Sequence, residues 1–158
     1  MSEPVQILLA TRLFRGVSAE ELAPIAGQLK LIDFAKGEEA IREGQVNRSI
    51  YVIVDGEFQV VLPEGETARR SERMADVELT RLQAGRCFGE FSVVDEAPAS
   101  ASVIATRPSQ VVALPRGSFL ALTEPDRLGK QLYRNLSELL IDKIRSTDRD
   151  CDLLLAFD

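Results

Sequence analysis

Between residues 31 and 62 the chain runs as short apolar stretches separated by glycine, and this pattern excludes most folds. Leu31 and Phe34 precede Lys36-Gly37-Glu38, Ala40-Ile41 precede Glu43-Gly44, and Ile50-Tyr51-Val52-Ile53-Val54 precedes Asp55-Gly56. Such stretches are too short for helices of several turns and match strands, which usually have about five or six residues. Gly37, Gly44 and Gly56 fall at intervals of 7 and 12 residues, a spacing that suggests a small antiparallel barrel or jelly roll. Asp55-Gly56 reads as a two-residue hairpin turn. After it Phe58, Val60 and Leu62 alternate with Gln59 and Val61, as in a strand with one face inside.

Helical periodicity flanks this region. Val5, Leu8, Leu9 and Leu13 put an apolar stripe on one helix. Ser18-Ala19-Glu20-Glu21 is a capping box, in which the serine caps and the glutamate three residues on reaches back. It opens a second helix striped by Leu22, Ile25, Ala26 and Leu29, with Pro24 in its early turns. Beyond the strands, Pro115 ends the barrel, Gly117 turns the chain and Ser118 caps a short helix over 119–122. Pro125 then starts the last helix. Leu128, Leu132, Leu136, Leu139, Leu140 and Ile144 stripe it, while Arg134, Asn135, Glu138, Asp142, Lys143 and Arg145 fill the other side. A helix of about 20 residues would be about 30 Å long.

Within the strand region, residues 63–76 are polar and mixed in charge, and predict a long hairpin loop. Its arginines, Arg69, Arg70 and Arg73, are largely offset by Glu64, Glu66, Glu72 and Asp76. Val77, Leu79 and Leu82 form the return strand, and the stretches 102–105 and 110–114 read as a strand pair around Thr106-Arg107-Pro108-Ser109. The fold class is therefore α+β, mainly β: a small antiparallel jelly-roll barrel flanked by N-terminal helices and a long C-terminal helix. One structural domain is expected over 1–158, with helices at 1–30, the barrel at 31–115, and C-terminal helices with an apolar tail at 116–158.

The chemistry concentrates in 85–103. Phe88-Gly89-Glu90 leaves an apolar strand, turns at glycine and enters the short apolar run 91–94. A strand, a glycine turn and one helical turn present backbone N–H groups to an anion, and the carboxylate of Glu90 accepts hydrogen bonds from hydroxyls. One anion beside a hydroxyl pair describes a ribose phosphate. Phe88-Gly89-Glu90-Phe91-Ser92, then Pro98, then Ala101-Ser102-Val103 resemble the phosphate-binding cassette of cyclic-nucleotide-binding domains, as seen in catabolite-activator-like effector domains. Residues 13–22 resemble the helices that lead into such domains, and Gly37, Gly44, Gly56 and Tyr51 fall where the family has its barrel turns, so the resemblance covers roughly residues 13–122. It implies that Glu90 holds the ribose 2′-hydroxyl and that the ligand site comprises Phe88, Gly89, Glu90, Phe91, Ser92, Pro98, Ala99 and Ser100. It also implies an arginine after the cassette proline, pairing with the cyclic phosphate. Here that position is Ala99. Arg86 and Arg107 are candidates to replace it by nearness in sequence only.

Composition narrows the function classes. The chain has 158 residues, a formal net charge of −6 and no histidine. The negative charge argues against a nucleic-acid surface, and the absence of histidine removes His-based catalysis and His metal ligation. Cys87 and Cys151 lack CxxC spacing, and no run approaches the roughly 18 apolar residues of a membrane span. The acidic Met1-Ser2-Glu3-Pro4 start does not read as a signal peptide. A cytoplasmic, non-enzymatic protein with no metal and no cofactor is expected, its candidate ligand being cyclic AMP or cyclic GMP. Two readings stay open. One is a sensory module with weak or altered binding of a cyclic nucleotide or related anion, transmitted through the C-terminal helix. The other is a ligand-independent interaction and dimerisation module on the same fold. Under either reading a homodimer through 125–147 is expected, with a protein partner at 153–157, whose run Leu-Leu-Leu-Ala-Phe should pack on something.

Overall fold

The computed structural model describes residues 2–63, 65–67, 70–73 and 75–156, with the backbone alone at 65–67, 70–73 and 147–156. In chain order the strands are β1 (Lys30–Phe34), β2 (Glu39–Ile41), β3 (Ser49–Asp55), β4 (Glu57–Leu62), β5 (Gly65–Thr67), β6 (Arg70–Arg73), β7 (Val77–Gln83), β8 (Cys87–Phe88), β9 (Ser102–Ala105) and β10 (Ser109–Pro115). The helices are α1 (Glu3–Leu9), α2 (Ala19–Leu22), α3 (Phe91–Val94), α4 (Arg116–Leu122) and α5 (Asp126–Ala156), with 3-10 turns at Arg12–Phe14 and Ala23–Gln28. One antiparallel sheet has the order β1-β10-β3-β8 and faces a second of order β2-β9-β4-β7. The two sheets form a jelly roll that does not close into a barrel.

The first sheet is covered on both faces, which explains its continuous apolar runs. Ile50 and Val52 of β3 and Val112 and Leu114 of β10 pack with Leu8, Leu13, Phe14, Phe119, Leu132 and Leu136 from the helices. The alternate residues Ile53 and Val111 face Phe58, Leu82, Phe88 and Val103 between the sheets. There Phe88 stacks on Tyr51 at 5.0 Å and lies 5.1 Å from Phe58, while Phe34 meets Phe58 edge-on at 5.6 Å. The Ser18–Glu21 capping box forms as expected. The second helix, however, becomes a 3-10 turn from Ala23, where Pro24 enters.

Several expectations are corrected. Asp55-Gly56 does not make a hairpin: β3 and β4 belong to different sheets, and Gly56, at φ 100°, turns the chain from one to the other. A side chain there would meet the Ser109 Cα at 2.6 Å, so only glycine permits the close crossing. β9 and β10 likewise lie in different sheets and are not a pair. The 63–76 stretch is not a plain loop, since β5 pairs with β6 as a two-stranded ribbon. In β7 only Leu82 is buried, and Val77 and Leu79 are exposed on this edge strand. Ser118 lies inside α4 and is buried; instead of capping, its hydroxyl donates to the Gln28 side chain.

The last helix has 31 residues and continues into the segment expected as an apolar tail, a length of about 46 Å. Leu128, Leu132 and Leu136 are buried in the same subunit, while Tyr133, Ile141 and Ile144 are exposed. The polar side also faces inward in places. Asn135 is buried and donates to the Leu13 and Arg15 carbonyls at 2.9 and 2.8 Å. The packing proposed for the side chains of 153–157, and the arginine cluster of 69–73, lie outside the described side chains.

Candidate functional site

The glycine turn of the 85–103 segment is built by close approach. Gly89 has φ 83°, and a side chain on it would meet the Ser49 carbonyl at 2.6 Å and the Asn47 amide at 2.7 Å. Its carbonyl accepts the Ser92 hydroxyl at 2.8 Å and the Ser92 N–H at 3.3 Å, and the Glu90 carbonyl accepts the Val93 N–H at 3.1 Å, which winds α3. Glu90 thereby enters the interior and is 2% exposed.

Its carboxylate is not left alone. Lys143 of α5 donates to Glu90 Oε1 and, at 3.1 Å, to the Cys87 carbonyl. Sequence reasoning assigned Lys143 to the polar outer side of the helix; the structure brings it onto the cassette carboxylate. Burial next to Glu90 pushes the Cys87 thiol up to about 11, through desolvation first and the nearby carboxylate second, so the thiol stays neutral.

The loop between β2 and β3 joins the two ends of the cassette. Asn47 donates to the Ser49 carbonyl at 2.7 Å and to the Gly89 carbonyl at 3.4 Å. Two residues earlier, the Ala99 N–H donates to the Gln45 carbonyl at 2.9 Å, and Gly44 donates to the Ala99 carbonyl at 2.8 Å. A cleft of about 320 Å³ runs along this loop, lined by Ile41, Arg42, Gln45, Asn47, Arg48 and Tyr51 among others. Arg42 is paired with Glu39 at 3.3 Å.

The expected site residues divide by environment. Phe88 is a core residue, Ser92 is buried and bonded to its own turn, and Phe91 is exposed. Ala99 is half-buried against the Ile41 and Phe88 cluster, Pro98 is half-buried and Ser100 is exposed. Arg86 lines a different cleft, with Arg12 and Arg145, and Arg107 is exposed in the β9–β10 turn.

Residues 31–126 match the family model described as the cyclic nucleotide-binding domain. The chain belongs to this family. It is 28% identical over 142 residues to the cyclic AMP receptor protein of Thermus thermophilus, a match that covers 90% of this chain and 61% of that protein. The chain thus spans about three-fifths of this relative. Among solved structures, the Thermus thermophilus catabolite activator protein superposes with a TM-score of 0.70 at 26% identity, covering 91% of this chain and 63% of that one. The regulatory domain of Toxoplasma gondii PKA, co-crystallised with cAMP, gives a TM-score of 0.66 at 25% identity over 85% of this chain and 48% of that one. Among the described residues no helix is long and apolar enough to cross a membrane, and no group of acidic, cysteine or histidine side chains could hold a metal ion.

Proposed function

We propose that this chain is a non-enzymatic regulatory module in which a small nucleotide-like anion and the C-terminal helix compete for one carboxylate. The observation that carries this reading is the Lys143–Glu90 ion pair. Glu90 is the group that would accept the ribose hydroxyls, and Lys143 engages its Oε1 from α5. A ligand hydroxyl arriving at Glu90 competes with the ammonium for this buried carboxylate, and displacement frees the segment of α5 that carries it. Occupancy of the cassette is then read as a change in the helix.

The same contact weakens the ligand, because the free protein must give up an ion pair before binding. Ala99 adds to the weakness, for it offers no guanidinium to a phosphate. Arg48, which lines the cleft beside the loop that bonds Ala99, is the cation assigned to that phosphate. The ligand class is accordingly a cyclic mononucleotide such as cyclic AMP or cyclic GMP, bound weakly. Calorimetric titration with a panel of cyclic mono- and dinucleotides tests this. The expected result is weak binding that is lost in Glu90→Gln and reduced in Arg48→Gln. Binding unaffected by both substitutions would contradict it.

A second reading rests on a different observation. Tyr133, Ile141 and Ile144 present apolar surface along α5 after its first half has been buried at home. A two-fold dimer through 125–147 would cover them, and it is compatible with either state of Glu90.

A further inference from the structure

A second cleft, of about 410 Å³, is lined by Arg12, Arg86, Asp142, Arg145 and Ser146. It gathers arginines from three parts of the chain: the first 3-10 turn, the turn between β7 and β8, and α5. Such convergence stands out in a chain of formal net charge −6. Asp142 answers Arg12 at 2.7 Å. The lining therefore sets three guanidinium groups against one carboxylate. Like charges held close repel, and an anion bound between them removes that repulsion. Guanidinium groups suit phosphate in particular, because the planar fork donates two parallel hydrogen bonds. A cleft this size exceeds what one phosphate needs.

We infer that this cleft is a second anion site, sharing no lining residue with the cleft along the β2–β3 loop, which takes a small molecule bearing two linked phosphate groups. Its position gives it a consequence. Arg86 precedes Cys87, whose carbonyl accepts Lys143, and Arg145 lies two residues beyond Lys143. An anion shared by Arg86 and Arg145 fastens the same stretch of α5 that carries Lys143. It therefore favours the form in which Lys143 holds Glu90. Resting on the competition at Glu90 proposed above, it also opposes a cassette ligand, and by linkage the ligand opposes it.

Calorimetric titration with pyrophosphate at low ionic strength tests the site on the whole chain. Saturable binding is expected, weakened about tenfold or more in Arg86→Gln and in Arg145→Gln, since each removes charge-assisted bonds. Lys36→Gln, an exposed change in the β1–β2 turn, should leave it intact. Full binding in the Arg86→Gln/Arg145→Gln double variant overturns the site. So does an equal loss in Lys36→Gln, which would reveal attraction by overall charge. Amide exchange at residues 139–146 reads the helix without any cassette ligand, so it stands or falls apart from the function proposed above. Slower exchange on adding pyrophosphate is expected, and unchanged exchange in a pyrophosphate-saturated sample overturns the fastening of α5.

Discussion

Lys143 and Glu90 are 53 residues apart in sequence, yet the ammonium of one donates to the carboxylate of the other. Glu90 is 2% exposed, whereas the Lys143 side chain keeps 35% of its surface in contact with solvent. The pair is thus asymmetric. Removing the lysine strands a buried charge, while the lysine itself can return to water. This asymmetry suits a contact that opens from the helix side.

The first prediction follows from it. Lys143→Met should destabilise the chain by about 3 kcal/mol, the lower end of the cost of orphaning a buried charge, because the pair is partly exposed. Adding Glu90→Gln should recover most of that loss, since no charge is then buried. Urea denaturation of the two variants measures both effects. An additive loss in the double variant would mean that the two side chains do not act as a pair.

Asn135 supplies the second. Its amide serves the Leu13 and Arg15 carbonyls, and its own oxygen accepts from Gln131 at 3.0 Å. Asn135→Leu leaves the buried Leu13 carbonyl and the partly buried Arg15 carbonyl without this donor, at about 1–3 kcal/mol for the buried one. Thermal unfolding should reveal it as a lowered midpoint, and an unchanged midpoint would count against the clamp between α5 and the first 3-10 turn.

The third concerns pH. The Cys87 thiol is raised from 9.0 to about 11 in the folded chain by burial and by Glu90. The unfolded thiol therefore ionises first, so this contribution to stability is complete below about 9 and is lost as pH climbs towards 11. Glu57 works at the other end of the scale. Its carboxyl is held below the usual range by hydrogen bonds from Thr106 and Gln83 and by Arg81, so its contribution is lost as pH falls through the folded value. In stability curves against pH, the native chain's advantage over Glu57→Gln should shrink only as pH falls through the acidic range, and its difference from Cys87→Ala should change only as pH rises above about 9.

Assembly gives the fourth. A dimer through α5 would use Ile141 and Ile144, which are exposed, and not Leu136, which is 2% exposed within its own subunit. Ile141→Asp with Ile144→Asp should therefore yield a folded monomer by light scattering, where Leu136→Asp should unfold the chain. A native chain already monomeric at micromolar concentration would end the dimer proposal.

Much of this architecture was legible from the residues, and the reasons for the remainder are local. The capping box at Ser18 is a short-range device, so four residues sufficed to read it. The glycine at 89 and the acid at 90 announced a tight turn carrying a carboxylate. Asp55-Gly56 misled because a hairpin and a crossing between sheets ask the same freedom of the backbone; the approach of Ser109, from 53 residues on, decides between them. Lys143 was hidden for a related reason. Helical periodicity marks it as polar, but a long flexible side chain on the flank of an apolar stripe can reach inward. The end of α5 was misread because Asp148, Arg149, Asp150 and Asp152 make a composition that suits a surface helix as well as a tail.

The central claim is that Glu90 is shared between a ligand and α5, and affinity measured with and without Lys143 tests it most directly. Calorimetric titration of cyclic AMP and cyclic GMP should be run on the native chain, on Lys143→Met, on Ala99→Arg and on Ala99→Arg with Glu90→Ala. The native chain should bind weakly or below detection, and Lys143→Met should bind more tightly because its competitor is gone. Ala99→Arg should gain about 2 kcal/mol from a restored phosphate partner and lose much of that gain without Glu90. Equal affinity in the native chain and Lys143→Met, with binding measurable in both, would contradict the account.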